Sequence, residues 1–201
     1  MSVAWLFSVI LALPLLGAGS VVLLRRSPNW REAASLLAAA LLFYNVTRLL
    51  PVVMEGGRPT FQLFEFLPGT GFAFHAEPLG VGFALVVSFL WFVTVLYSIG
   101  YMRVHGERNQ TRFYVFFAVA IAATIGGAFS ANLLTLYFFY EALTLATYPL
   151  VTHGGKDKDR AGGRTYLSVL LGTSLIFLLL ALAWTYTATG TLAFVDGGLF
   201  R

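Results

Sequence analysis

The sequence predicts an all-α, polytopic membrane protein: a single transmembrane domain over residues 1–201, six transmembrane helices, both termini outside. Three observations carry this expectation. Mean hydropathy is +0.80, with 58% hydrophobic and 11% charged residues, against roughly a quarter charged in a soluble domain. Apolar stretches of about 17 to 27 residues recur, each long enough for a hydrocarbon core of about 30 Å at roughly 1.5 Å per helical residue. Basic residues gather in alternate connections between these stretches. Little chain remains for a soluble catalytic domain.

The first span covers residues 3–24. No positive residue precedes it, which argues against a cleaved signal peptide. Arg25, Arg26 and Arg31 follow, with Pro28 interrupting the helix, and the second span covers 33–53. Residues 54–80 form the longest connection, where the alternation Phe61-Gln62-Leu63-Phe64-Glu65-Phe66 predicts a short hairpin strand at the interface. The third span, 81–101, ends in Arg103, Arg108 and Arg112. Spans four (113–129) and five (131–151) are separated by little more than Ser130-Ala131-Asn132, so they form a tight antiparallel pair. Lys156, Lys158, Arg160 and Arg164 follow span five, balanced by Asp157 and Asp159. Span six, 165–187, leads to a Gly-rich tail whose charges are Asp196 and Arg201. No tandem repeat is evident.

Lys and Arg number three, three and four in the first, third and fifth connections, against one, zero and one in the others. The positive-inside rule then places the basic connections in the cytoplasm and the protein in the cell (inner) membrane as a multi-pass chain. The net charge of +4 and pI near 9.6 therefore read as topology signals, and no nucleic-acid partner is expected. The chain has no cysteine, which excludes disulfides, thiolate zinc sites, cysteine-ligated iron–sulfur clusters and a cysteine nucleophile. No metal-ligand cluster or nucleophile constellation supports a lipid-modifying enzyme, and no cofactor or metal is expected. Gly126-Gly127 and Gly162-Gly163 permit close helix contact. Trp5, Trp30, Trp91 and Trp184 read as span ends or lipid contacts.

Span five departs from a merely apolar helix. Glu141 stands ten residues from each of its ends, about 15 Å from either surface, at the midplane. Tyr137, Glu141, Thr144 and Tyr148 fall at i, i+4, i+7 and i+11, on one face. A charge at the bilayer centre costs at least about 2.5 kcal/mol, so this carboxyl needs a protein partner or trapped water. Burial favours its neutral form and a nearby cation its charged form, so a moving cation would switch it between holding and releasing a proton. A bland alternative has Glu141 protonated and fastening two helices. His153, at the cytoplasmic end of the span, could pass protons to Glu141, although a helix-end role before Gly154-Gly155 is the plainer reading. Arg48 can snorkel to an interface, and Arg164 reads as an anchor near the surface; both are candidate charge partners. His75 in the outer connection could serve an exit path, with a loop hydrogen bond the plainer account. His105 reads as a solvated loop residue.

The stretch 113–166 resembles a known family. Within it, 124–151, with Asn132-Leu133-Leu134, the aromatic run from Tyr137 to Tyr140 and Glu141, looks like the fourth and fifth helices of the proton-conducting antiporter-like subunits. These are shared by complex I, Mrp-type sodium/proton antiporters and membrane-bound hydrogenases. Phe72-Ala73-Phe74-His75-Ala76-Glu77-Pro78-Leu79-Gly80 is similar to the family's entry to helix three, and Tyr97-Ser98-Ile99-Gly100-Tyr101-Met102 to that helix's end. The ending Tyr148-Pro149-Leu150-Val151-Thr152-His153 looks most like the D-type branch of the Mrp antiporters and its hydrogenase relatives.

By that resemblance, Glu141 is the helix-five carboxylate that modulates a lysine, and conduction follows a central line of Lys, His and Glu with water between them. The chain departs from the pattern: no Lys lies in any span, Arg164 stands at the cytoplasmic end of span six, and only the front of a family member is covered. A split or helper subunit is expected rather than a truncated reading frame. The implied function is a membrane subunit of a multisubunit proton or sodium/proton translocating complex, a possible component of a redox-driven translocase, with Glu141 loading protons in a half-channel. Its partners would be the bilayer and other membrane subunits, one of them supplying the missing central Lys. The alternative is a non-conducting structural or assembly subunit.

Overall fold

A computed structural model describes residues 3–67, 70–195 and 197–198; Asp196 and Arg201 of the tail lie outside them. Helix α1 (Val3–Leu23) is followed by α2 (Pro28–Met54), the strands β1 (Thr60–Leu67) and β2 (Thr70–His75), then α3 (Pro78–Val104), α4 (Gln110–Ala128) and α5 (Leu133–Val151). The last rod comprises α6 (Asp157–Thr173), a π-helical turn over Ser174–Leu178, and α7 (Leu179–Thr189). Among the described residues, five of these segments are long and apolar enough to cross a membrane: α1, α2, α3, α4 and the continuous α6–α7 rod. Helix α5 is not among them, because Tyr137, Tyr140, Glu141, Tyr148 and Pro149 dilute its leucines and phenylalanines.

Local chemistry explains where the helices start. Pro28 and Pro78 open α2 and α3, where a residue without an N–H loses nothing. Helix α2 therefore begins before residue 33, and Arg31 and Glu32, expected in a turn, are helical and buried. Asp159 Oδ2 accepts the Lys156 N–H at 3.1 Å, and Asp157 and Asp159 occupy the first turn of α6, where the helix dipole favours anions. The stretch expected to loop out to residue 164 is thus largely helix. The strands form the expected hairpin, paired antiparallel from Thr60 opposite His75 to Leu67 opposite Thr70; it is the departure from an all-α chain.

The core lies between α1, α2, α3 and α4, with Phe7, Ile10, Leu42, Leu49, Trp91 and Phe129 fully buried. Phe7 meets Phe129 edge-on at 5.1 Å. Trp91, expected at lipid, belongs to this core at 2% exposure, while Trp5, Trp30 and Trp184 are exposed as expected. Nearby, Gly17 lets α1 approach α2: a Cβ there would stand 2.8 Å from Ala38 Cβ, while Trp91 at 3.8 Å is in ordinary contact. Such small-residue contacts let helices associate by packing where water supplies no driving force.

The basic connections share one end of the bundle. There Glu32 pairs with Arg31 at 3.3 Å and also with Arg103. Arg31 donates to Gln110 at 2.6 Å and Thr111 at 3.2 Å, and Arg103 to Asn29 at 2.6 Å. The result is a polar clamp across α2, α3 and α4, with Arg31 and Glu32 buried and Arg103 half exposed at its rim. At the opposite end, the hairpin, residues 129–132 and the tail meet. His75 N–H donates to Phe129 O, Ala131 N–H to Ala73 O, Leu133 N–H to Leu192 O and Phe194 N–H to Ala131 O, all within 2.7 to 3.1 Å.

Candidate functional site on helix five

Helix α5 is set in place at its N-terminus. The Asn132 side chain caps it, accepting the Thr135 N–H at 2.7 Å, and donates through Nδ2 to Gly71 O at 2.9 Å. Thr135 Oγ1 donates to the same carbonyl at 3.0 Å and accepts the Ala73 N–H at 3.2 Å. Both side chains are buried, so β2 and the start of α5 move as one unit. Of the small-residue pairs, one glycine in each makes the close contact. A Cβ on Gly126 would overlap the Phe139 ring, and one on Gly163 would overlap Thr152 Cγ2 and approach Tyr148 at 3.1 Å. These two glycines seat α5 against α4 and α6.

Both carboxylate oxygens of Glu141 are buried and accept no hydrogen bond among the described residues. Tyr137 lies beside Glu141 one turn earlier on the same helix, in a contact too loose for a hydrogen bond of standard geometry. A buried, unsatisfied acceptor is costly and rare in a finished fold. Thr144 is buried and turns its hydroxyl onto Tyr140 O at 3.1 Å. Tyr148 packs on α6 at Gly163. Next to it, Thr147 Oγ1 and the Tyr166 hydroxyl of α6 share a hydrogen bond of 2.9 Å.

His153 sits beyond the end of α5 with both ring nitrogens buried and, among the described residues, without a hydrogen bond of standard geometry; Phe113 meets its ring edge-on at 5.9 Å. Arg112 Nη2 donates to Thr152 O at 3.4 Å and His153 O at 3.2 Å, closing the helix end. Burial, and then the Arg112 charge, lower the imidazole's proton affinity below the ordinary histidine value; Glu107 and the Arg108 backbone oppose them. Twelve residues separate His153 from Glu141, about 18 Å along the axis, too far for direct transfer.

Neither candidate cation reaches Glu141. Arg48 is exposed on α2 with its guanidinium 5.7 Å from the Tyr44 ring, and Arg164 is exposed on α6. No cation lies within ion-pair distance of Glu141 among the described residues. His75 pairs with Glu77 at 3.5 Å. His105 is exposed and stacks on Tyr101 at 4.2 Å between centroids. Among the described residues no group of three or more His, Asp or Glu could hold a metal ion. Sequence reasoning missed Tyr166 and Arg112. Tyr166 is a hydroxyl facing α5 from the start of span six, and its position after the close-packing Gly163 is the signal that finds it.

Two families match the chain in order. One described as NADH-ubiquinone oxidoreductase (complex I), chain 5 N-terminus, matches residues 69–114; one described as NADH:quinone oxidoreductase/Mrp antiporter, TM, matches residues 130–199. The N-type subunit of NADH-quinone oxidoreductase from Desulforudis audaxviator is 29% identical over 94% of this chain and 38% of its own length. The D-type subunit of the Na(+)/H(+) antiporter from Bacillus subtilis is 25% identical over 92% of this chain and 37% of its own. Two solved assemblies share the fold. The Mrp complex from a Dietzia species has a TM-score of 0.81 at 22% identity, over 96% of this chain and 36% of the matched one. The archaeal membrane-bound sulfane sulfur reductase has a TM-score of 0.80 at 21% identity, over 93% and 38%. The chain thus spans less than two fifths of the length of these relatives.

Proposed function

From its relatedness to the antiporter-like membrane subunits of complex I and Mrp antiporters, we propose that this chain is a six-span subunit of a multisubunit complex that translocates protons, or sodium against protons. Glu141 is its proton-loading group. The observation that carries this reading is the pair of buried Glu141 oxygens, which accept no hydrogen bond of standard geometry among the described residues. A carboxyl kept in low dielectric holds its proton until a cation approaches, then releases it. Since Arg48 and Arg164 stand away from it, the cation comes from outside these 201 residues, as a lysine in the expected pattern. Tyr137, Thr144, Tyr148 and the Thr147–Tyr166 pair line the route towards His153, with water spanning the gaps.

In this reading the chain lies in the cell (inner) membrane with both termini outside and its basic connections in the cytoplasm. Their gathering at one end of the bundle, beside Glu32 and Arg103, supports that orientation. A second reading, a non-conducting assembly subunit, is favoured by the absence of any cation near Glu141 among the described residues.

Glu141→Gln in the assembled complex separates the two. Proton flux into sealed vesicles is expected to fall at least about tenfold, within the range that a lost proton-transfer group costs, and Glu141→Asp is expected to restore part of it. Unchanged flux with Gln refutes the loading role and leaves the assembly reading.

A further inference from the structure

A second titratable site lies at the hairpin end. A cavity of about 480 Å³ opens there between β2, the start of α3, the end of α4 and the tail, with Phe83, Ser130, Leu136 and Phe194 among its walls. The titratable side chains lining it are His75 and Glu77. Their backbones are held: His75 N–H donates to Phe129 O at 2.7 Å, Ala76 N–H to Pro59 O at 3.0 Å, and Glu77 O accepts the Val81 N–H at 2.9 Å. His75 Nδ1 is 3.5 Å from Glu77 Oε1. Its Nε2 is buried and without a partner among the described residues. Glu77 is more than half exposed, at 58%, and His75 less, at 30%, so the carboxylate meets the aqueous phase and the imidazole stands behind it.

The surroundings suit a cation. This end carries Glu55, Glu65 and Glu77 against Arg58, and the Arg58 guanidinium is engaged by Val53 O and Gly57 O. Glu65 lies on β1, in contact with Gln62. Glu77 precedes the first turn of α3, where the helix dipole favours a carboxylate. The cavity reaches Leu136 of α5, about 7.5 Å along the axis from Glu141.

We propose that His75 and Glu77 form a proton-exchange site joining this cavity to the aqueous phase at the hairpin end. A hydronium ion from that phase protonates the Glu77 carboxylate. The Glu77 O–H bond then breaks as the His75 Nδ1–H bond forms, and once the ring turns to bring its buried Nε2 to the cavity the imidazolium loses its Nε2 proton to water there. The ring is left neutral as the other tautomer; the return transfer runs the same bonds backwards. Imidazole is suited to this step because its two nitrogens take and give protons near neutral pH. The exchange stands on the geometry of the cavity, whereas its use in transport rests on the function proposed above.

Two measurements test it. In vesicles of the assembled complex, with pH varied only on the hairpin side, His75→Gln and Glu77→Gln are each expected to slow transport at least about tenfold. They should also flatten the dependence on that pH, with the response to pH on the basic side retained. A wild-type pH response in both variants overturns the proposal. The second measurement needs no transport and so survives failure of the translocation reading: the ¹⁵N signals of His75 in the full chain in lipid nanodiscs, between about pH 5 and 8. Signals that titrate with exchange between the two ring nitrogens, and that change in Glu77→Gln, support the site. Signals that do not titrate, or that titrate identically in Glu77→Gln, overturn it.

Discussion

Replacing Asn132 by Ala removes two interactions whose worth can be estimated separately. The cap on Thr135 N–H, at 2.7 Å, is worth about 1 kcal/mol. The buried bond from Nδ2 to Gly71 O, at 2.9 Å, adds about 1 kcal/mol. Gly71 O keeps Thr135 Oγ1 as a donor, so no orphaned carbonyl enlarges the loss. The sum, about 2 kcal/mol, corresponds to a roughly 30-fold increase in local opening. Hydrogen exchange of the amides in residues 70–75 and 133–136, in nanodiscs, reads this directly, with α2 and α3 as internal references. Asn132→Ser keeps a good capping oxygen but is too short for Gly71 O, so it should lose about 1 kcal/mol, roughly fivefold. An increase below about threefold for Ala, or equal increases for Ala and Ser, would refute the reasoning that hairpin and helix share this clip.

Glu32→Ala leaves Arg31 buried with its main counter-charge removed, and thermal unfolding in detergent should reveal a loss of about 3 to 5 kcal/mol. Gly163→Ala drives a methyl into Thr152 Cγ2; overpacking of this kind costs about 1 to 3 kcal/mol, and the Thr147–Tyr166 bond should lengthen, visible as a shifted tyrosine hydroxyl vibration. Arg112→Gln removes a neighbouring positive charge from His153, and the titration of that ring followed by NMR should move upward towards the ordinary value. The low proton affinity of folded His153 means the unfolded chain binds more protons in that range. The stability it contributes is therefore complete above about pH 6.5 and is lost as pH falls from there to the folded value. A wild-type unfolding midpoint no more acid-sensitive between those limits than that of His153→Gln would contradict this.

The apolar runs that form α1, α2, α3, α4 and the α6–α7 rod, and the alternation at Phe61 to Phe66 that forms the hairpin, were legible because they are periodic, whereas the run expected to make a sixth span at 131–151 forms a helix too polar to be counted with them. Helix starts were less legible, since hydropathy counts Arg31, Glu32 and residues 157–164 as loop while Pro28 and the Asp157/Asp159 turn start helix there. Trp91 escaped because its burial depends on how α2 and α4 pack against α3, contacts distant in sequence and unmarked by any local pattern. Around Glu141 the sequence supplied the acid and its flanking hydroxyls. It was silent on Tyr166 and on which way Arg48 points, because both depend on how helices are rotated against one another.

The rod from Asp157 to Thr189 is held near its two ends and scarcely elsewhere: only 6% of its most apolar stretch is buried. Gly163 and Tyr166 fasten one end to α5, and Leu192, through the Leu133 N–H, fastens the tail that follows the other. A beam pinned at two supports deflects most at mid-span. Mid-span here is the Ser174–Leu178 turn, whose wider hydrogen-bonded rings interrupt the regular helix. A neighbouring helix that presses on the rod therefore bends it most easily at that turn.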